Sequence, residues 1–220
     1  EHKLSRDTVL NAFNALKNRG IIHSVVGKGY YVSTEEIDVV QKIFLLFDEF
    51  NSFKEDLYTS FVQNLGANVQ VDIFFHHFNM AVFTKLIHDN VGNYSRYVIM
   101  PANLVGTGEV LQNLPREKVY ILDQMHKELS EYPGIFQNFE KDLYHGLQKG
   151  LSQIKKYTKL ILLFSKEKQP QGLLAGFNLF CKDNNLKSAV IDSFEDRTLQ
   201  KGALYILLDD KDLIRVVKKI

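Results

Sequence analysis

A set of residues near the start of the chain has the chemistry that a nucleic-acid contact needs. They occupy the first turns of a helical pattern and a later turn between two glycines, and they are Ser5, Arg6, Thr8, Asn11, Lys28 and Gly29. An arginine can donate two hydrogen bonds to the O6 and N7 atoms of guanine, and hydroxyl groups at a helix N-terminus can donate to phosphate. The simpler interpretation is a capped helix and a hairpin with surface charges.

A second set of side chains, from residue 51 onward, has the chemistry of a small-molecule site. Amide, carboxylate, imidazole and aromatic groups stand in loops beside apolar segments at eight positions: Asn51, Phe53, His77, Asn103, Asp123, Gln137, Gln171 and Asp210. Small-molecule sites combine apolar and aromatic surface with a few hydrogen-bonding groups of this kind. Each of these residues, taken singly, is equally consistent with a solvated loop position or a core aromatic.

The remaining reactive side chains indicate neither catalysis nor a metal site. His76 and His77 are neighbours at the end of an apolar run, where successive side chains point in opposite directions. They have no Cys, Asp or Glu at the spacing of a zinc site. Cys181 falls in an apolar helical stripe that is typical of a buried thiol. We therefore expect no metal, no cofactor and no enzymatic activity.

A helix and a hairpin are needed to position the N-terminal set. Residues 5–19 carry apolar side chains at helical spacing, and Ser5 is suited to be the N-cap. Two β-prone runs on either side of the glycine-flanked turn at Lys28 predict a hairpin. The polar residues that follow predict a linker over 34–41.

From Gln41 onward, short apolar runs alternate with longer amphipathic stretches. The predicted strands are Lys42–Phe47, Val69–Phe75, Tyr97–Met100, Val119–Leu122, Lys159–Phe164, Ser188–Ile191 and Ala203–Leu208. The predicted helices are Glu55–Gln63, Ala81–Asp89, Glu140–Ile154, Gly172–Asn184 and Asp212–Lys219, with a glycine turn at 106–108 opening a further one. Strands without polar alternation are buried on both faces, as in a parallel sheet covered by helices. The alternation predicts an α/β fold.

Composition and charge narrow the class of protein. The 220 residues are 45% hydrophobic and 24% charged, which is too apolar for a disordered chain. The longest apolar runs are far shorter than the roughly 20 residues of a membrane-spanning helix, so we expect a cytoplasmic protein without a membrane partner. Residues 1–33 contain five basic and two acidic residues, net +3, whereas the remainder contains 22 and 24, net −2. Such asymmetry can mark a nucleic-acid-binding module attached to another domain.

The N-terminal segment resembles the winged helix-turn-helix of the GntR family of bacterial transcription regulators. The resemblance rests on the pattern S-R-D-T-V-x-x-A-x-x-x-L-x-x-x-G-x-I-x-x-x-x-G-K-G-x-Y-V, which runs from Ser5 to Val32. It implies that the helix is the recognition helix and the hairpin is the wing. It also implies that Arg6 reads a base, and that the supporting contacts come from Ser5, Thr8, Asn11, Lys28 and Gly29. The chain would then start inside this domain, with residues 1–33 as its C-terminal part.

The larger segment, 42–220, resembles the periplasmic-binding-protein-like effector domain of LacI-type regulators, which arabinose-type repressors of the GntR family also carry. The resemblance rests on three stretches: Ile43–Asp48 with Asn51-Ser52-Phe53, Phe164-Ser165 with Ala175-Gly176-Phe177, and Asp209-Asp210 with Leu213. It implies two subdomains, about 42–124 and 125–220, with the C-terminal part of the domain beyond Ile220. Gln171 departs from the pattern, because the family commonly has a sugar-binding arginine there.

Together the two resemblances imply a regulator whose operator affinity is controlled by a small effector, a monosaccharide or sugar derivative. Open α/β sheets bind ligands beyond the carboxyl ends of their strands, so the effector would lie between the subdomains. Paired winged helices read paired half-sites, which implies a homodimer on double-stranded operator DNA. The alternative is a sugar-modifying or other α/β enzyme domain fused to a DNA-binding module.

Overall fold

The computed structural model describes residues 5–18, 21–32, 41–195 and 197–219. Its N-terminal unit is a helix followed by an antiparallel hairpin: α1 Arg6–Asn18, β1 Ile22–Val25 and β2 Gly29–Val32. The turn requires glycine because φ is +76° at Gly27 and +107° at Gly29. The ring of Phe13 stacks on that of Tyr30 at 4.4 Å between centroids, which packs the helix against the hairpin.

The chain then forms a first lobe, residues 41–136, around a five-stranded parallel sheet in the order β4-β3-β5-β6-β7. Its strands are β3 Gln41–Phe47, β4 Val69–Phe75, β5 Arg96–Ile99, β6 Val119–Asp123 and β7 Gly134–Phe136. Its helices are α2 Ser52–Gln63, α3 Met80–Asp89 and α4 Thr107–Leu111. Successive residues of β3 enter different clusters, since Phe44 and Leu46 pack with α3 whereas Leu45 and Phe47 pack with α2. The central strand is therefore buried on both faces.

The second lobe begins at residue 139 and has a three-stranded parallel sheet in the order β10-β8-β9. Its strands are β8 Lys159–Leu163, β9 Ser188–Ile191 and β10 Ala203–Ile206. Its helices are α5 Phe139–Lys149, α6 Leu151–Ile154, α7 Gln171–Asp183 and α8 Asp210–Val217. Leu147, Leu162 and Phe177 share one core cluster, which joins α5, β8 and α7.

The first sheet extends past the predicted subdomain boundary of 124/125. Strand β7 pairs with β6, so residues as far as Phe136 belong to the first sheet. The sequence does not predict this strand because three residues are too few to show periodicity. The predicted helix Glu140–Ile154 is also two helices, since the chain turns at Gly150 between α5 and α6.

The predicted linker 34–41 lies outside the described residues except for Gln41, which begins β3. Residues 1–4, 19, 20 and 33 of the predicted DNA-binding segment also lie outside them. In the described parts of the chain, no helix is both long and apolar enough to cross a membrane.

Candidate functional site

A cavity of about 480 Å³ lies where the carboxyl ends of the two parallel sheets face each other. The first lobe contributes the loops after β3, β4, β6 and β7, and the second lobe contributes those after β8 and β10. Four aromatic rings line this cleft, from Phe50, Phe53, Phe78 and Phe139. Its volume lies in the range of small-molecule sites. The position agrees with the rule that open α/β sheets bind ligands at the carboxyl ends of their strands.

Three buried charges form the floor of the cleft: Asp48, Lys54 and Asp123. The Lys54 ammonium lies 3.5 Å from Oδ1 of Asp48 and 3.8 Å from Oδ2 of Asp123. The three side chains are only 6–8% exposed. Buried charges must be paired, because ionised groups lose water contacts on burial. The two aspartates directly follow β3 and end β6, and the lysine comes from the first turn of α2.

Asp123 combines a poorly solvated carboxylate with a strained backbone. Its Oδ1 accepts a hydrogen bond from Nε2 of Gln137 at 2.5 Å. Burial raises the pKa of Asp123 above its ordinary value of 3.8, and Lys54 and Gln137 offset only part of this shift. Its backbone has φ of +75°, a conformation that costs free energy for any residue other than glycine.

Other left-handed backbone positions cluster on the same edge of the first sheet. His77 and Phe78 follow β4 with φ of +50° and +56°, and Ala102 follows β5 with φ of +50°. Together with Asp123, they place four of the five such non-glycine residues of the described chain at the carboxyl ends of parallel strands. Strained backbone persists where the surrounding structure imposes it, and it concentrates at ligand sites.

His76 is buried and holds the loop after β4 in place. Its Nε2 lies 3.0 Å from the carbonyl oxygen of Met100, and the backbone N–H of Phe78 donates to its Nδ1 at 3.2 Å. Nε2 therefore carries the proton and donates to Met100, since Nδ1 is an acceptor. Burial lowers the pKa of His76 below 6.5, so the ring is neutral at pH 7. Within the described residues, no group of three His, Cys, Asp or Glu side chains is arranged to hold a metal ion.

Hydrogen bonds and an ion pair join the two lobes around the cleft. The side-chain amide of Asn103 donates to the carbonyl oxygens of Lys166 at 2.9 Å and Gln169 at 2.7 Å. The Lys168 ammonium lies 3.1 Å from a carboxylate oxygen of Glu49. A further contact joins the Ser52 hydroxyl, as donor, to Asp210 at 3.4 Å. The loop between β8 and α7 is thus fastened to the first lobe in this conformation.

The structure brings five of the eight predicted effector residues into the cleft: Asn51, Phe53, Asp123, Gln137 and Asp210. His77 is exposed and its ring stacks on Phe75, outside the cavity lining. Asn103 and Gln171 line a separate, more open depression on the boundary between the lobes. Asn51 has a second role as the N-cap of α2, because its side chain accepts from the backbone N–H of Lys54.

Sequence reasoning misses four of the charged residues that form the site: Asp48, Glu49, Lys54 and Lys168. Asp48 could have been found, because it is the first polar residue after a buried strand, as Asp123 ends another. Nothing in the sequence of α2 marks Lys54 as buried. In the structure its neighbours Phe53 and Glu55 are both exposed.

The predicted DNA-contacting residues are all exposed at the surface of the N-terminal unit. Ser5, Arg6, Thr8 and Asn11 are exposed, as are Lys28 and Gly29 in the hairpin turn. The backbone N–H of Thr8 donates to the Ser5 hydroxyl oxygen at 3.2 Å, so Ser5 caps the helix. Arg6 is the first residue of α1, and it is exposed to solvent.

Solved structures with the same fold include transcription regulators. A LacI family regulator from Lactobacillus casei with bound sucrose superposes with a TM-score of 0.59 at 14% identity, covering 81% of this chain and 62% of that one. A transcription regulator-like protein from Staphylococcus haemolyticus gives 0.56 at 14% identity, covering 81% and 73%.

The trehalose repressor from Escherichia coli gives a TM-score of 0.55 at 14% identity, covering 69% of this chain and 59% of the repressor. The chain thus spans about three fifths of that protein. No protein family and no curated protein sequence matches the chain. Periplasmic sugar-binding proteins are also among the similar structures. The protein therefore has an α/β fold with parallel sheets, shared by LacI-family regulators and periplasmic sugar-binding proteins.

Proposed function

We propose that the protein is a transcription regulator whose affinity for operator DNA is set by a sugar or sugar derivative bound in the cleft. The observation that carries this proposal is the cavity of about 480 Å³ between two parallel sheets, which combines aromatic rings with buried charges. Sugars present both hydroxyl groups and apolar ring faces, so they need such a combination. The similar structures support it, because one is a LacI family regulator with bound sucrose.

The N-terminal unit is the proposed DNA-binding element, and its GntR-like pattern assigns the contacts. Arg6 lies at the N-terminal end of α1, where a recognition helix contacts base edges. Lys28 extends from the tip of the hairpin, where glycines allow close approach to the sugar-phosphate backbone. Two copies of the chain are needed to read two half-sites, so the regulator acts as a homodimer in the cytoplasm.

The proposed control is closure of the two lobes around the effector. A ligand that touches both lobes binds their closed arrangement more tightly than an open one, and it shifts the population by that difference. In a dimer, this change alters the spacing of the two DNA-binding units and therefore the operator affinity.

The DNA half of the proposal is tested by selecting duplexes from a random oligonucleotide pool with the full-length protein. We expect the wild type to enrich a sequence with two half-sites, and Arg6→Ala to bind it at least about fivefold more weakly, since a bidentate arginine–guanine contact contributes about 1–3 kcal/mol. Arg96→Ala removes an exposed arginine of the first lobe and is the control. Unchanged binding by Arg6→Ala would contradict the assignment of α1 as the recognition helix.

A further inference from the structure

The charges of the cleft favour one class of sugar over another. Five carboxylates and three ammonium groups line the cavity, from Asp48, Glu49, Asp123, Asp209 and Asp210 and from Lys54, Lys168 and Lys211. The lining therefore carries a net charge of −2, and the cleft floor alone carries −1. The Lys168 ammonium is paired with Glu49 at 3.1 Å, and Lys211 is exposed to solvent. A phosphorylated or carboxylated ligand would meet an excess of negative charge, which is unfavourable between desolvated groups.

The Lys54 ammonium is the positive charge most deeply placed in the cavity. Its side chain is 7% exposed and lies against the Phe53 ring, with Nζ 5.0 Å from the ring centroid. Its ion-pair distances of 3.5 and 3.8 Å exceed the roughly 2.7–2.9 Å of a charge-assisted hydrogen bond. An ammonium group has three donors and no acceptor. The Lys54 ammonium can therefore donate a hydrogen bond to an oxygen atom of a ligand in the cleft.

We propose that Lys54 is a specificity-determining residue that selects uncharged polyhydroxylated ligands. Its ammonium donates to a hydroxyl or ring oxygen, and the ligand hydroxyls donate to the carboxylates of Asp48 and Asp123. The two carboxylates outnumber the buried ammonium and leave the cleft floor with a net charge of −1, so phosphorylated sugars are rejected. The inference rests on the proposed sugar-sensing function and specifies the chemical class of the effector.

The test is calorimetric titration of the full-length protein with matched pairs of sugars. The probes are glucose, galactose, arabinose and sucrose, each beside a phosphate monoester of the same sugar. We expect at least one neutral sugar to bind, at least tenfold more tightly than its phosphate. Lys54→Met should weaken this binding at least tenfold, whereas Lys182→Met, which removes an exposed lysine of α7 outside the cleft, should change it less than threefold.

Two further variants separate a contact from a folding defect. The double variant Lys54→Met with Asp123→Asn keeps the net charge of the cleft floor at −1. It should also lose binding of the neutral sugar, and urea denaturation checks that it is folded. Asp48→Asn combined with Asp123→Asn retains Lys54 and makes the floor +1, so the preference for the neutral sugar over its phosphate should fall at least tenfold.

The outcomes separate this inference from the function on which it rests. Tighter binding of a phosphorylated sugar, or full binding by folded Lys54→Met, would overturn the role of Lys54 and leave sugar sensing standing. If neither the neutral sugars nor their phosphates bind, the proposed effector class is wrong and the inference falls with it.

Discussion

At the residue scale, the cleft combines groups that lower stability with groups that can bind a ligand. Asp123 is buried, has a left-handed backbone and holds Gln137 by a hydrogen bond. Lys54 gives it only a distant ion pair of 3.8 Å. Proteins retain such costly arrangements where binding requires them.

Asp123→Asn should stabilise the protein at neutral pH and weaken the effector complex. Because burial raises the Asp123 pKa, the folded protein holds this proton more readily than the unfolded chain. The stability that this provides is present below pH 3.8 and is lost as the pH rises through the raised pKa. At pH 7 the ionised carboxylate therefore destabilises the fold, and Asn also tolerates a positive φ.

Urea denaturation of wild type and Asp123→Asn from pH 4 to pH 7 measures this effect. We expect the variant to have the higher free energy of unfolding at pH 7, and the difference to shrink as the pH falls. A variant that is less stable than wild type at pH 7 would show that the Lys54 ion pair outweighs the desolvation of Asp123.

Sequence reasoning finds cavity-lining residues where a side chain follows a buried strand and misses them where the position depends on packing. Asn51, Asp123 and Asp210 were predicted from their places beside apolar segments, and they line the cavity. Lys54 was not, because a lysine in a helix is ordinarily exposed. Asn103 also follows a strand, but its amide contacts the other lobe instead of lining the main cavity.

At the scale of elements, the buried strands were predictable because continuous apolar runs mark them. Val69–Phe75 and Ser188–Ile191 agree with β4 and β9 at both ends. The short strand β7 was not predictable, because its place is set by pairing with β6. The close approach of α5 and α7 is also not predictable from the sequence, because it depends on Gly176, which has no side chain.

Gly176→Ala should destabilise the second lobe by about 1–3 kcal/mol, the usual cost of overpacking. A Cβ at Gly176 would meet the backbone carbonyl oxygen of Glu140 on α5. Gly146→Ala is the matched control, because a Cβ there meets open space. In the control, replacing a helical glycine should stabilise by about 0.5–1 kcal/mol. Chemical denaturation measures both variants, and equal effects of the two would contradict the close packing of α5 on α7.

At the scale of the whole molecule, the contacts between the lobes determine how readily the cleft opens. The Asn103 amide bonds two carbonyl groups of the β8–α7 loop, and the Lys168–Glu49 ion pair lies at the cleft rim. The order of strands and helices predicts parallel sheets, and the family resemblance implies two subdomains, but neither indicates these contacts. They involve residues more than 60 positions apart.

Asn103→Ala should shift the ligand-free protein toward a more open arrangement. Two hydrogen bonds contribute about 1–3 kcal/mol in total, so the ratio of closed to open molecules should fall about tenfold. The distance between the lobes is measured by pulsed electron paramagnetic resonance. The spin labels are attached at Asp56→Cys and Leu179→Cys, which are exposed positions of α2 and α7. Asn93→Ala is the control, because the Asn93 amide bonds within the first lobe. Identical distance distributions for Asn103→Ala and the control would contradict the role of Asn103 in closure.

The central claim is that a neutral sugar in the cleft controls operator affinity at the N-terminal unit. The most direct measurement is the affinity for the selected duplex, by fluorescence anisotropy, with and without the sugar that calorimetry identifies. Coupling between two sites typically changes affinity by about 5–150-fold, so we predict at least a fivefold change for wild type. Lys54→Met should bind the duplex like wild type without sugar and show no change when sugar is added. An operator affinity that is the same at zero and saturating sugar in wild type would contradict the account.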